Sequence, residues 1–143
     1  HLTVVTKLIA AGADVNKAKT DGMTPLYIAT NNGDFAVVTK LVAAGADVDK
    51  ALTTDGGTPL YIAAQQGHLT VVTKLIAAGA DVDKARTTDG STPLYKAAEK
   101  GHTAIVSKLL QHGADKSIRG WQNKTPLEAA QGQNHAAVVA LLA

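Results

Sequence analysis

The stretch "TDGMTPLYIAT" at residues 20–30 returns as "TDGGTPLYIAA" at residues 54–64 and as "TDGSTPLYKAA" at residues 88–98. A shorter version, "TPLEAAQ", occupies residues 125–131. Catalytic sites are usually assembled once, from different residues that converge, whereas repeated lettering indicates a repeated structural unit. The sequence therefore predicts a repeat protein in which several units share one architecture.

Two short motifs give the period of the repeat. Thr-Pro-Leu begins at positions 24, 58, 92 and 125, at spacings of 34, 34 and 33 residues. Gly-Ala-Asp begins at positions 12, 45, 79 and 113, at spacings of 33, 34 and 34 residues. All four prolines lie in Thr-Pro-Leu, and ten of the thirteen glycines fall at three recurring turn points. A fixed period of about 20–50 residues is typical of solenoids, whose units stack to bury one continuous core.

Each unit contains a first helix with clear start and stop signals. Thr before Pro starts it, because the hydroxyl caps a free N–H and Pro at the first helical position loses no hydrogen bond. The pattern predicts a helix over "PLYIAAQQ" at residues 59–66, which Gly67 ends in a left-handed conformation. In the last unit, Thr125 and Glu128 have the spacing of a capping box. The residues equivalent to Gly67 are Gly33, Gly101 and, as the next best choice, Asn134.

A second helix follows in each unit. In "LTVVTKLIAA" at residues 69–78, apolar side chains recur at helical spacing. The breadth of this stripe predicts neighbours on more than one side. Gly79 ends the helix, and the polar segment "ADVDKARTTDGS", with its Asp-Gly turn signal, is predicted to be a loop. The predicted core stripe consists of Leu69, Val72, Leu75 and Ile76, widened by Val71 and Ala78.

The repeated motifs resemble those of ankyrin repeats. The ankyrin signature Thr-Pro-Leu-His-x-Ala is present as "TPLYIAT", "TPLYIAA", "TPLYKAA" and "TPLEAAQ", with Tyr or Glu in place of His. Gly-His before the second helix occurs at residues 67–68 and 101–102, and Gly-Ala-Asp-Val before the loop occurs three times. The resemblance covers the whole chain. It implies an all-α fold, an ankyrin-repeat solenoid of stacked helix-turn-helix units joined by β-turn loops.

The resemblance also implies how the single array at residues 1–143 is divided. The predicted order is a partial repeat, three full repeats and a C-terminal partial repeat: 1–20, 21–54, 55–88, 89–121 and 122–143. The first unit has a second helix but no first helix to cover its apolar face. We expect unseen residues or another molecule to cover this face, and otherwise expect the helix to fray. A monomer is expected unless this face pairs through Leu2, Val5, Leu8 and Ile9.

Composition and charge exclude several classes of function. The net charge is +2 and the basic residues are spread along the chain, so there is no electrostatic footprint for nucleic acid. The chain has no cysteine, which excludes disulfides and Cys-based metal sites. No apolar run approaches the roughly 18–20 residues that cross a bilayer, and we expect no membrane partner and no cofactor. The sequence starts at His1 without Met or a signal peptide, so we expect a piece of a longer chain, with a cytoplasmic location favoured.

The histidines give no basis for catalysis. Four of the five, at positions 1, 68, 102 and 135, occupy the same slot at the start of the second helix. A residue copied at one slot is expected to be a structural hydrogen-bonding group. Side chains in stacked units would lie about 8–10 Å apart, which is too far for them to share one metal ion. No Ser/His/Asp set or pair of carboxylates follows from the spacing, so the sequence indicates a protein that is not an enzyme.

The resemblance implies a partner-binding surface at the loop tips and first helices, which line a concave groove in ankyrin repeats. These slots differ between units while the framework repeats, which suggests adaptable positions on a fixed scaffold; alternatively, any solvated position drifts. The tyrosines either contact a partner or pack on the next unit with the hydroxyl bonded to a loop. Trp121 is either an anchor for a partner or a plug over the last unit. The implied partner-binding residues are Asp21, Met23, Tyr27, Asn31, Asn32, Asp55, Tyr61, Gln65, Gln66, Asp89, Ser91, Tyr95, Glu99, Lys100 and Trp121.

We therefore interpret the chain as a non-catalytic scaffold that binds a partner protein, of a kind that the sequence does not identify, on this groove. The alternative is an engineered ankyrin array without an evolved partner, made as a stable scaffold. Both fit the sameness of the units, which a recent duplication or a design would produce. Residues 1–17 and 68–84, for example, differ only at Asn16 and Asp83.

Overall fold

The computed structural model describes residues 1–143, which form nine α-helices and no strand. This content confirms the predicted fold class. A short 3-10 helix, Trp121–Asn123, precedes the eighth α-helix. The α-helices in chain order are α1 Leu2–Ala10, α2 Pro25–Asn31, α3 Phe35–Ala43, α4 Pro59–Gln66, α5 Leu69–Ala77, α6 Pro93–Lys100, α7 Thr103–Gln111, α8 Pro126–Gly132 and α9 Ala136–Leu142.

The first helices start where the Thr-Pro signal predicts. Helices α2, α4, α6 and α8 each begin at the proline, and the threonine hydroxyl before it accepts a hydrogen bond from the N–H three residues on, at 3.1–3.2 Å. Thr125 and Glu128 form both hydrogen bonds of the predicted capping box, at 3.2 and 2.7 Å. Helix α4 spans residues 59–66 as predicted, and Gly67 caps it with φ +82°.

Glycine ends the second helices in a Schellman motif. After α5, the N–H of Gly79 donates to the carbonyl of Ile76 at 3.0 Å, and the N–H of Ala80 donates to the carbonyl of Leu75 at 3.0 Å. Gly79 has φ +90°, and all ten glycines at the recurring turn points have positive φ. These positions therefore require the left-handed conformation that glycine adopts without steric cost. After the first helix of the last unit, Asn134 has this left-handed conformation in place of glycine, with φ +61°, as predicted.

The helices form two parallel rows. Helices α2, α4, α6 and α8 pack on one another in that order, and α1, α3, α5, α7 and α9 form the second row. Each helix of the first row also packs on the second helix of its own unit, as α4 does on α5. The space between the rows is filled by one cluster of 23 buried residues, mostly Leu, Ile, Val and Ala. One continuous core from α2 to α9, with Val5 and Ile9 of α1 packed against it, makes the array a single stack, as a solenoid requires.

Adjacent loops are also joined to one another. At the tips, the N–H of Thr53 donates to the carbonyl of Asp21 at 3.0 Å, and the N–H of Thr87 donates to the carbonyl of Asp55 at 2.9 Å. At the base of each loop, one side chain accepts a hydrogen bond from the backbone of the following unit. These pairs are Asn16 with Asp47 at 2.7 Å, Asp49 with Asp81 at 3.1 Å and Asp83 with Asp115 at 2.9 Å.

One member of the predicted core stripe lies outside the core. Val71, Val72 and Leu75 of α5 are fully buried, whereas Leu69 is 38% exposed. Leu69 is the first residue of its helix, and helical side chains lean toward the helix N-terminus. The side chain therefore extends past the end of the packed region. Helical spacing alone could not show where along the helix the neighbouring row ends.

The two ends of the stack differ. At the C-terminal end, α8 and α9 form a complete helix pair, and Val138 and Leu142 of α9 are buried. At the N-terminal end, α1 buries no residue, and it packs on α3 without a first helix of its own. A groove of about 410 Å³ lies beside α1 and α2, where Ile28 is 38% exposed. The equivalent residue, Ile62, is 7% exposed because α2 covers it.

Candidate binding face on the first helices

One side of the stack carries most of the residues implied for partner binding. We call it the first-helix face: the exposed side chains of α2, α4, α6 and α8, together with the loop tips that precede these helices. Each tip is a tight turn closed by backbone hydrogen bonds, as between the N–H of Leu52 and the carbonyl of Gly57 at 2.9 Å. Hydrogen bonds therefore hold the tips both within themselves and to their neighbours.

The aspartates at the tips hold the turns. The carboxylate of Asp21 accepts a hydrogen bond from the N–H of Met23 at 2.9 Å, and Asp55 and Asp89 make the same contact with the N–H two residues on, at 2.9 and 3.0 Å. Short polar side chains commonly stabilise turns in this way. All three aspartates are partly exposed. They therefore shape the tips and still present carboxylate oxygen to solvent.

Arg86 joins two successive tips, a contact that the sequence pattern does not reveal. Its guanidinium lies 2.7 Å from the carboxylate of Asp55 and 3.3 Å from that of Asp89. It also donates to the hydroxyl of Tyr61 at 3.3 Å, and it lies 5.3 Å from the centre of the Tyr61 ring. The only sequence signal was that Arg stands where the preceding unit has Leu52. Spacing could not show that one side chain would reach two units.

Two of the three tyrosines are core residues. Tyr61 is 3% exposed and Tyr95 is 1% exposed, and the hydroxyl of Tyr95 donates to the carbonyl of Trp121 at 3.2 Å. Burial raises the pKa of both phenols above the ordinary value. The packing interpretation is therefore the right one for these two. Together with Ser91, which is fully buried, they offer no surface to a partner, and their assignment to the binding surface is corrected.

Tyr27 differs from the other two tyrosines because it remains partly exposed. Burial and the nearby Asp55 carboxylate raise the pKa of its phenol. Four of the predicted positions do lie on the exposed surface: Asn31, Asn32, Gln66 and Lys100. The Gln66 amide donates to the Asn31 side chain at 3.2 Å, which links neighbouring first helices.

Gln65 and Glu99 are less available than the sequence indicates, because both are only partly exposed. The carboxylate of Glu99 pairs with the ammonium of Lys96 one helical turn earlier. Gln65 and Glu99 are therefore less accessible to solvent than Gln66 and Lys100, the residues that follow them. Removing Glu99 would leave Lys96 without its partner, so Glu99 is a poor choice for testing surface recognition.

The repeated histidines hold neighbouring units together. The Nε2 atom of His68 lies 3.1 Å from the carbonyl of Asn31, and His102 and His135 make equivalent contacts with the preceding unit at 3.0 Å. A carbonyl only accepts, so Nε2 carries the proton and donates. Each ring also covers the glycine that ends the preceding first helix, leaving no room for a Cβ there. The structural role expected from the repeated slot is therefore observed at these three positions.

Trp121 is held by its backbone and displays its ring. The N–H of Trp121 donates to the Ser91 hydroxyl at 3.2 Å, and its carbonyl accepts from Tyr95, yet the residue is 51% exposed. The next two residues, Gln122 and Asn123, have φ +56° and +58°, a conformation that costs energy for side chains other than glycine. A small cleft of about 70 Å³ lies beside the ring, lined partly by Glu99 and Lys124. The Trp121 ring is thus open to solvent and does not serve as a cover packed over the last unit.

Two further features of the chain bear on function. The structure brings together no three His, Asp or Glu side chains that could hold a metal ion. No helix has the length and apolar character needed to cross a membrane.

The fold and this face define a solenoid of helix-turn-helix repeats. A family model described as "Ankyrin repeats (3 copies)" matches residues 1–86 and 80–143. The chain therefore belongs to the ankyrin-repeat family, as the motifs predict. Ankyrin repeats are generally protein–protein interaction modules and are typically non-catalytic. No curated protein matches the chain.

Proposed function

We propose that this chain is a non-catalytic scaffold that binds a partner protein on the first-helix face. The observation that carries the proposal is the contrast between framework and surface. The caps, turns and buried positions repeat from unit to unit, whereas the exposed and partly exposed positions at the ends of the first helices do not. They are Asn31 and Asn32 in one unit, Gln65 and Gln66 in the next, and Glu99 and Lys100 in the third.

Trp121 is the strongest single anchor on this face. Trp is enriched among the residues that dominate binding energy, particularly where the ring is displayed by a rigid backbone. Hydrogen bonds at both its N–H and its carbonyl hold the Trp121 backbone in place before any partner binds. A preformed surface loses little conformational entropy on docking, which favours affinity.

The proposed surface is smaller than the sequence-based set because the buried side chains are left out. It runs along the stack from the first tip to the last. Its residues are polar, apart from Met23 and the aromatic residues Tyr27 and Trp121. It comprises Asp21, Met23, Tyr27, Asn31, Asn32, Asp55, Gln65, Gln66, Asp89, Glu99, Lys100 and Trp121.

The test is to identify partners by cross-linking and then to compare two matched variants. The first variant, Asn32→Ala/Gln66→Ala/Lys100→Ala/Trp121→Ala, removes exposed side chains of the first-helix face. The control, Lys50→Ala/Lys84→Ala/Gln111→Ala/Leu141→Ala, removes exposed side chains elsewhere, including Leu141, which is 41% exposed. We expect the first variant alone to lose the partner, with the thermal midpoint of both close to that of the parent chain.

Two outcomes would contradict the proposal. A partner that binds the first-helix variant and the parent chain equally well would place the binding surface elsewhere. A chain that recovers no partner from any source tested, and that unfolds only at high temperature, would support the alternative of a scaffold without an evolved partner. The sameness of residues 1–17 and 68–84 is the observation in favour of that alternative.

A further inference from the structure

The opposite side of the stack carries a row of lysines that the proposed function does not use. Lysine occupies the same slot of four successive second-row helices: Lys7, Lys40, Lys74 and Lys108. None of the four forms a salt bridge, since the cations that do so are Arg86, Lys96 and Arg119. None of their ammonium groups donates a hydrogen bond within the chain either. We call the exposed side of α3, α5 and α7 the second-helix face.

An apolar groove lies beside two of these lysines, Lys74 and Lys108. It has a volume of about 470 Å³ and its wall is mostly apolar. Phe35 from α3, Leu69 and Ala77 from α5, and the lysines Lys74 and Lys108 contribute to its lining. Phe35 is 46% exposed and Leu69 is 38% exposed, so two large apolar side chains stand open to solvent at one groove. Leu69 is also the residue that the helical pattern wrongly places in the core.

The three helices of this face carry charged side chains of one sign. The spans of α3, α5 and α7 contain no aspartate or glutamate. The carboxylate of Asp34, at the start of α3, accepts a hydrogen bond from the N–H of Val37 and caps this helix. The first-helix face, in contrast, carries carboxylates at its tips. The unpaired lysines therefore fit an acidic partner, and the groove between them fits an apolar ridge.

We propose that this groove binds an acidic amphipathic helix of a partner protein. Neighbouring packed helices lie about 8–10 Å apart, so lysines at one slot of successive units repeat at about that distance. Carboxylates seven residues apart on an α-helix lie about 10.5 Å apart on the same face. A helix laid across α3, α5 and α7 can therefore place one carboxylate near each of Lys40, Lys74 and Lys108. Its intervening apolar residues then sit on Phe35 and Leu69, the groove-and-helix mode of recognition.

The groove favours a helix over the other acidic surfaces that lysines attract. A duplex or an anionic bilayer would contact the lysines, but neither offers an apolar ridge that enters a groove between helices. Acidic side chains alternating with apolar ones in a helix satisfy both features at once. The site is independent of the first-helix face, because the two lie on different rows of helices.

The test uses two synthetic helical peptides of identical composition, made of Glu, Leu and Ala and about 18 residues long so that they span three helices. In one, Glu recurs every seventh residue beside a stripe of Leu; in the other, the same residues are distributed around the helix. Binding of each to the full chain is measured by fluorescence anisotropy at low salt. We expect the patterned peptide to bind at least about tenfold more tightly than the scrambled one.

Two groove variants and one control variant assign the binding to the groove. Lys74→Glu/Lys108→Glu should weaken the patterned peptide by at least about tenfold, and Phe35→Ala by a few-fold. The control, Lys50→Glu/Lys84→Glu, makes the same change in net charge at exposed loop lysines outside the groove and should leave binding within about twofold. Circular dichroism and thermal unfolding confirm that each variant keeps the fold.

Each contrary result would overturn the proposal. These results are equal weakening by the two lysine pairs, equal binding of the two peptides, and no binding of the patterned peptide at millimolar concentration. Tighter binding to phosphatidylserine vesicles or to a DNA duplex than to the patterned peptide would also overturn it. The first-helix-face variant should bind the peptide like the parent chain, so the failure of one proposal does not count against the other.

Discussion

Two helices of this protein have the same sequence and different surroundings. Helices α1 and α5 both read "LTVVTKLIA", and both end in the same glycine motif. In α5, Val71, Val72 and Leu75 are fully buried. In α1, the residues equivalent to Val71 and Leu75 are Val4, 60% exposed, and Leu8, 54% exposed.

The two helices separate the properties that are set locally from those that depend on the stack. The start and end of a helix depend on side chains within about one turn, so identical letters give identical bounds. Burial depends on the helices alongside, and α5 lies against α4, α3 and α7 whereas α1 lies against α3. Most of the stability of a short helix comes from packing, because isolated helices under about 12 residues are marginal. Helix α1 should therefore be far less stable than α5.

The largest effect is expected when the same leucine is truncated in both copies. Leu75→Ala removes a fully buried side chain and should destabilise the protein by about 3 kcal/mol or more, since the cavity adds to the lost transfer energy. Leu8→Ala, in the same local sequence, should cost under ~1 kcal/mol because the side chain is half exposed. Urea unfolding at equilibrium measures both values. Similar losses for the two variants would show that α1 is covered in solution.

The second prediction applies the comparison to two glycines of one unit. Gly67 and Gly79 both have positive φ, and alanine there costs about 1 kcal/mol. A Cβ on Gly67 would also meet the His102 ring at 2.8 Å, whereas a Cβ on Gly79 meets nothing within 4 Å. Gly67→Ala should therefore lower the free energy of unfolding by about 1 kcal/mol more than Gly79→Ala does, because it also strains the His102 contact. Equal losses would mean that the histidine ring moves aside freely.

The third prediction concerns pH and the tyrosines that neighbouring units cover. Burial raises the pKa of Tyr61 and Tyr95, so the folded chain holds those protons above the unfolded value of about 10. The resulting stability is fully present below about pH 10 and is lost as the pH rises through the folded pKa values. Between pH 8 and 11, the Tyr61→Phe/Tyr95→Phe variant should lose less of its urea midpoint than the parent chain. Equal losses would show that other groups cause the alkaline unfolding.

The smallest effect is expected from making the two copies identical. Asn16→Asp converts residues 1–17 into an exact copy of residues 68–84. Asn16 and Asp83 play the same role, since each accepts a hydrogen bond from the N–H of the following unit, at 2.7 and 2.9 Å. The free energy of unfolding should change by less than ~0.5 kcal/mol. A large gain would mean that this residue, rather than the number of helices packed alongside, limits the stability of α1.

The distinction between local signals and packing by neighbouring units also explains what the sequence could predict. The threonine caps, the capping box of Thr125 and Glu128, and the bounds of α4 follow from contacts within four residues, and all are observed. The exposure of Leu69, the burial of Tyr95 and the bridge made by Arg86 depend on residues about one repeat away. Spacing along one chain does not show which side chain of the next unit lies opposite. The framework of the candidate face was therefore predictable, and the accessibility of its residues was not.

The most direct test is amide hydrogen exchange in α1 and α5 of the same molecule. Residues 1–15 and 68–82 are identical, so their intrinsic exchange rates match and any difference reports structure. NMR must resolve the residues, because digestion yields peptides of the same mass. We expect the amides near Leu75 to exchange at least about a hundredfold more slowly than those near Leu8. Equal protection of the two helices would instead show that local sequence, and not the neighbouring units, stabilises each helix.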